Sequence, residues 1–175
     1  MQNNSGPNGW QIQRWTDYKS TAYPKRMSET FLDKAYKLSE GANSTRALYD
    51  AWAASYEDEV GQHGYATPGR TAKALRKFCK KPNEPILDFG CGTGLSGLAL
   101  KLEGFETIDG LDLSSDMLKQ ARAKNLYRKL TLVDPDAPLP VSTGEYCTIA
   151  AIGVIGVGAA PLSTFDVIMR LLPKN

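Results

Sequence analysis

Asp88, Gly90, Gly92 and Gly94 alternate along the run Ile86-Leu87-Asp88-Phe89-Gly90-Cys91-Gly92-Thr93-Gly94. Two more acids follow: Asp112, and Asp134 in Leu132-Val133-Asp134-Pro135-Asp136. Glycines in such a run let the backbone bend sharply and let a ligand approach the main chain. A carboxylate just ahead of the bend attracts an ammonium and repels a diphosphate. At about 4 Å and an effective dielectric near 20, that pair is worth roughly 4 kcal/mol before desolvation. Asp88 therefore favours a ligand with a cationic end. Asp112 can accept the two hydroxyls of a ribose, or it is an ordinary exposed acid beside a helix cap at Ser114. Leu113 and Met117 stand next to it and can flank a flat ring, although Met117 serves equally well as core. Asp134 and Asp136 compete for the last acidic role, against the alternative of solvated turn acids.

These residues need an alternating α/β frame to meet. Pro85 to Phe89 reads as a short apolar strand that runs into the glycine turn. Leu95, Leu98, Ala99 and Leu102 mark a helix closed by Gly104. A second strand is expected over Phe105 to Leu113. Ser114 or Ser115 then caps a helix that buries Met117, Leu118 and Ala121. A third strand covers Leu130 to Val133, and a fourth lies near Cys147 to Val154. A last helix, Pro161 to Leu172, is expected to bury Leu162, Phe165, Ile168, Met169 and Leu172. Upstream, Leu48, Trp52, Tyr56 and Val60 form one helical stripe, with Ser44 as its cap and Gly61 and Gly64 as its end. A further helix spans Pro68 to Cys79, with Leu75, Phe78 and Cys79 buried. Strands alternating with helices imply a parallel sheet with right-handed crossovers.

Composition narrows the class. The 175 residues suit one domain with one core. Hydrophobic residues at 42% and charged residues at 23% exclude a fully disordered chain. A net charge of +2 gives no electrostatic reason to expect nucleic acid or an anionic membrane as partner. Without a run of eighteen apolar residues, no transmembrane helix is expected. Cys79, Cys91 and Cys147 are too few and too scattered for a disulfide framework or zinc site, and His63 is the lone histidine. A reduced, cytoplasmic compartment is the expectation. Residues 1–26 are polar and carry Gly and Pro without a sustained apolar period, yet they also hold Trp10, Trp15, Tyr18 and Tyr23. They read as a disordered extension ahead of a start at Met27, or as an arm that packs its aromatics. The domain proper is expected over 27–175.

The glycine turn fits two templates. Gly92-Thr93-Gly94-Leu95-Ser96-Gly97 matches the dinucleotide pattern G-x-G-x-x-G. Asp88-x-Gly90-x-Gly92-x-Gly94 resembles the first motif of class I S-adenosylmethionine-dependent methyltransferases, and the sign of the Asp88 charge favours that one. Three other stretches add to the resemblance. Tyr49-Asp50-Ala51-Trp52-Ala53-Ala54-Ser55-Tyr56 is similar to the helix that lies over the cofactor. Gly110-Leu111-Asp112-Leu113-Ser114 is similar to the second motif. Ile152-Gly153-Val154-Ile155-Gly156-Val157-Gly158 is similar to the fourth-strand end. Over residues 44–172 the chain resembles small-molecule methyltransferases, in particular the methyltransferase-like group that contains the Williams–Beuren-region protein.

The resemblance implies a Rossmann-like sheet of four parallel strands in the order 3-2-1-4, preceded by helices. It implies S-adenosyl-L-methionine as cofactor, held by the turn residues Asp88, Gly90, Cys91, Gly92 and Gly94. Asp112, Leu113, Met117 and Asp134 join them on the nucleoside side. Ile152 faces the sulfonium, and Tyr49 and Tyr56 contribute ring contacts or simply pack. It implies in-line methyl transfer to a small-molecule acceptor. Family members continue with three more strands, so a C-terminally incomplete domain is expected, its fourth strand covered by a missing segment or a second subunit. A donor-binding chain without activity and an NAD-binding module are the competing functions.

Overall fold

The computed structural model describes residues 29–38 and 41–174. The extension over 1–26 and the start at Met27 lie outside the described residues. Four helices come first: α1 (Phe31–Lys37), α2 (Ala42–Trp52), α3 (Tyr56–Gln62) and α4 (Thr67–Phe78). The α/β part follows as β1 (Ile86–Phe89), α5 (Leu95–Leu102), β2 (Ile108–Asp112), α6 (Ser115–Ala123), β3 (Lys129–Leu132), β4 (Thr148–Ala150) and α7 (Thr164–Leu171). All pairings are parallel and the strand order is β3-β2-β1-β4, as expected from the sequence. Asp88 is level with Gly110 on one side and Ala150 on the other.

Side chains alternate across a strand, so the sheet has two distinct faces. Ile86, Ile108 and Ala150 pack with Ala72, Leu100 and Phe105 on the face that α4 and α5 cover. Leu87, Phe89 and Leu111 pack with Tyr146 and Ile168 on the other. Asp88 shares the face of Ile86 and so sits beneath α5. A third cluster joins Ala35, Trp52, Ala53, Val60 and Met117. Trp52 is its hub: Phe31 and Tyr49 stack on it, Tyr56 meets it edge-on at 4.8 Å, and its Nε1 donates to Glu59 Oε2. Glu59 Oε1 also accepts from Leu32 N, which ties α1 to α3.

Several local expectations are corrected. Gly41, not Ser44, is the N-cap of α2; Ser44 Oγ donates instead to Gly41 O at 2.7 Å. The stripe from Leu48 to Val60 is not one helix, because a turn at 53–55 splits it and aims Tyr56 and Val60 back at Trp52. Phe78 is 76% exposed: the buried line of α4 runs through Pro68, Ala72, Leu75 and Cys79, and Phe78 falls beside it. Leu98 and Leu102 are exposed, since α5 turns Ser96, Gly97, Ala99 and Leu100 inward. On α7 the buried pair is Ile168 and Leu171; Phe165 and Met169 on it and Leu162 ahead of it are exposed, and Leu172 just past it is half-buried. The second strand is shorter than 105–113, because Phe105 turns into the core directly after α5. The fourth strand leaves the sheet after Ala150, so the apolar edge is three residues long. Gly153, at φ +71°, redirects the chain; Ile152 stays in the core and Val154 lies against Gly90.

The inward face of α5 is built of small residues because a ring occupies the space opposite. A Cβ on Gly97 would stand 2.3 Å from the Tyr127 hydroxyl, and one on Gly110 would stand 3.0 Å from Tyr127 Cδ1. Helix propensity alone favours Ala over Gly by roughly 0.5–1 kcal/mol. Packing reverses the sign here. Gly97→Ala is expected to destabilise the chain by about 1–3 kcal/mol, read as a lower midpoint in urea unfolding. An unchanged or raised midpoint would show that the ring is free to move away.

Candidate functional site

The glycine turn joins β1 to α5 through three left-handed residues, Gly90, Gly92 and Gly94, at φ +70°, +52° and +94°. Residues with a Cβ adopt this conformation at a cost, which is why glycine recurs at alternate positions. Gly90 N and Cys91 N both donate to Leu111 O, so the turn hangs from β2. Below it Asp88 is fully buried, at 0% exposure. Its Oδ2 accepts from Ser96 Oγ at 2.6 Å and from Tyr127 OH at 2.8 Å. Its Oδ1 is buried with no hydrogen-bond partner among the described residues. Burial raises the carboxyl from 3.8 to about 6, against the two hydroxyl bonds, with the Asp112 charge adding to the rise.

Asp112 ends β2 beside the turn. Its Oδ2 accepts from Gly92 N at 2.8 Å and its Oδ1 from Ser114 N at 2.9 Å. Burial pushes its carboxyl up against these backbone bonds. Ser114 is the N-cap of α6: its Oγ accepts from Met117 N and donates to Asp50 Oδ1 at 2.5 Å. Asp50 also accepts from Asp116 N, so a carboxylate of α2 sits at the positive end of α6. That contact seats the N-terminal helices over the strand ends.

The seat brings a tyrosine cover with it. Tyr49, Tyr56 and Tyr65 gather close enough to Asp112 and Asp88 to feel their charge. Burial is the first cause raising all three phenols, Tyr49 to about 12. The Tyr56 and Tyr65 hydroxyls lie close enough to perturb each other, and the Tyr65 hydroxyl rests where a Cβ on Gly153 would be 2.1 Å away. A cavity of about 160 Å³ opens between Ala53, Ala54, Glu57, Asp58, Thr93 and Gln120. Of its lining only Thr93 belongs to the glycine turn.

Other residues singled out in the sequence divide. Leu113 is half-buried at the end of β2, beside Asp112. Asp134 is exposed past β3, 3.6 Å from Arg46 and accepting from Asp136 N. Met117 is buried against Trp52, which makes it core, and Ile152 is also core. Cys91 is buried, and desolvation keeps its thiol protonated, well above its usual range. His63 is exposed, with Nδ1 2.8 Å from Glu59 O. Among the described residues no His, Cys, Asp and Glu group can hold a metal, and no helix is long and apolar enough to cross a membrane. Sequence reasoning missed Ser96, Tyr127, Tyr65 and Asp50. For Tyr127 a signal existed: Gly94, Gly97 and Gly110 together leave a slot that only a large side chain fills.

The raised Asp88 carboxyl makes stability depend on pH. Between its unfolded value and about 6 the folded state holds a proton that the unfolded state has lost. Stability is therefore present at low pH and is lost as pH rises through that window, by on the order of 3 kcal/mol. In urea unfolding of the ligand-free chain, the stability of the parent relative to Asp88→Asn is expected to fall between pH 4 and pH 7. A difference that stays flat or rises would contradict the buried, unpaired carboxylate.

Comparison with known proteins converges on the same region. Residues 86–174, just over half of the chain, match the family described as a methyltransferase domain. The chain is 34% identical over 117 residues to human methyltransferase-like protein 27, covering 65% of this chain and 48% of that protein. It is 36% identical over 85 residues to the 18S rRNA (guanine(1575)-N(7))-methyltransferase of Saccharomyces cerevisiae, covering 49% of this chain and 31% of that one. The chain thus spans about half, or less, of the length of these relatives. A crystal structure of a Methanococcus maripaludis protein, described as a putative S-adenosyl-L-methionine-dependent methyltransferase, shares the fold. Its TM-score is 0.51 at 20% identity, over 78% of this chain and 64% of that one. The family match opens on the first residue of β1 and runs past the end of α7, so the entire sheet lies within it, and the chain belongs to the methyltransferase domain family.

Proposed function

We propose that this chain binds S-adenosyl-L-methionine across the ends of β1, β2 and β3, and that the protein transfers a methyl group to a small-molecule acceptor. The observation that carries the reading is Asp88 Oδ1, a buried acceptor beside a left-handed glycine turn with no partner of its own. An unsatisfied buried carboxylate oxygen is costly, and a ligand ammonium relieves it. Asp88 then holds the amino-acid end of the donor. Gly90, Cys91, Gly92 and Gly94 present main chain to it. Asp112 accepts the ribose hydroxyls with the lone pairs that Gly92 N and Ser114 N leave open. Leu113 flanks the base and Asp134 accepts from its amino group, while Met117 and Ile152 back the site from the core. Tyr49 and Tyr56 close over the donor and exclude water.

When bound, the donor supplies an electrophilic methyl on a cationic sulfur. The chain's own part is alignment of the acceptor for in-line displacement, which proximity and orientation make worth roughly 7–11 kcal/mol. No general base is assigned. The near-balanced charge supports a small acceptor over a polyanion. The likeness to the yeast rRNA guanine-N7 enzyme supports a second reading, with a guanine in RNA as acceptor.

Calorimetry with S-adenosylhomocysteine tests the donor site. Asp112→Ala is expected to weaken binding about 10- to 100-fold, because hydrogen bonds to a charged group are worth about 1.5–3 kcal/mol each. NAD is expected not to compete. Full affinity in the variant, or displacement by NAD, would refute the assignment. Transfer of a labelled methyl into a small-metabolite fraction rather than purified RNA is the expected acceptor result; label in RNA would favour the second reading. Binding without transfer to either would identify a donor-binding chain.

A further inference from the structure

Asp88 carries a charge that no cation among the described residues balances. The groups facing it are Ser96 and Tyr127, which donate to Oδ2, together with Tyr65, Cys91 and the acid Asp112. None of these is a cation. Tyr127 lies beyond α6, on the segment entering β3, thirty-nine residues from Asp88. Its hydroxyl does two things at once: it accepts from Gly97 N at 3.1 Å and donates to Asp88 Oδ2 at 2.8 Å. The slot around its ring is made by the missing side chains of Gly94, Gly97 and Gly110.

Resting on the donor reading above, we propose that Tyr127 is a positioning residue for the methyl donor. With Ser96 it saturates Oδ2 of Asp88, so that the carboxylate is locked in one rotamer and Oδ1 is kept for the ligand's ammonium. The two hydroxyl donors stabilise the ionised form without neutralising it. A Lys or Arg in their place would do the same for ionisation but would cancel the attraction. The arrangement thus gives a charged acceptor on neutral supports, which suits a cationic ligand and repels a diphosphate. It also accounts for the fourth glycine of the turn-and-helix run. Gly97 is there for Tyr127, since a Cβ would collide with the hydroxyl that sets Asp88.

Tyr127→Phe tests this, because the ring still fills the slot while the hydroxyl is gone. Two readouts are taken on the full chain. The first is the titration of the Asp88 carboxyl carbon by NMR without ligand. The second is S-adenosylhomocysteine affinity from pH 5.5 to 8.5. The Asp88 midpoint is expected to rise by about one unit, and affinity at pH 5.5 to fall by close to tenfold, the gap closing above pH 8 as the carboxyl ionises in both proteins. A loss of packing alone would lower affinity by one factor at every pH and leave the midpoint where it was; that result overturns the proposal. Should Tyr127→Phe fail to fold, Ser96→Ala removes the other donor to Oδ2, and the same two outcomes decide. If the parent chain binds no S-adenosylhomocysteine while the midpoint still moves, the donor reading fails and the purpose assigned to Tyr127 fails with it. If the parent binds and the midpoint does not move, only the role of Tyr127 is lost.

Discussion

A carboxylate taken fully out of water must be held by something, and among the described residues two hydroxyls and no cation hold Asp88. Much of the neighbouring structure follows from that constraint. Ser96 has to sit on the inner face of α5, which pushes Leu98 and Leu102 outward. Tyr127 has to reach back from the approach to β3, which requires glycine at 94, 97 and 110. The turn above Asp88 has to be left-handed at three places for Gly90 N, Cys91 N and Gly92 N to find acceptors on β2. The remaining oxygen, Oδ1, has no partner among the described residues, and it is the acceptor on which the proposed donor site rests.

The N-terminal helices contribute by closure rather than by the sheet's own chemistry. Trp52 gathers α1, α2 and α3 into a unit with its own small core. That unit meets the α/β part through Asp50, whose carboxylate sits at the N-terminus of α6 and binds the cap residue Ser114. The same Ser114 donates its backbone N–H to Asp112. One short chain of bonds therefore links the cover, the helix cap and the acid at the end of β2. Displacement of Tyr49 from Asp112 would be felt at Asp50 as well, because the two are neighbours on α2.

The strand order came with the family resemblance; the turn, the acid at the end of β2 and the cap of α6 were legible in the chain itself. Each is a local pattern: a short apolar run, alternating glycines, an acid followed by Ser-Ser, a stripe at helical spacing. Patterns of this kind depend on neighbours a few residues away, and the backbone obeys them with little regard to the rest of the fold. What went astray was the choice of buried face on helices rich in apolar residues on every side. On α5 and α7 periodicity alone does not say which of two apolar stripes turns inward. That depends on the partner: the polar pair Asp88 and Tyr127 under α5, and the Leu87–Phe89–Leu111 face under α7.

The acids on which the proposed function rests could be named from the chain, since charge sign and the place in a strand–turn–helix unit are properties of the local string. Their state could not. Whether Asp88 is exposed to solvent or sealed, which of its oxygens is taken, and whether Asp112 is free or bonded to backbone all depend on groups far away in sequence. Tyr127, Ser114 and Asp50 converge on these acids only after the crossovers have closed and the helices have docked, because burial and hydrogen-bond partnership are created by packing and have no existence in an extended chain.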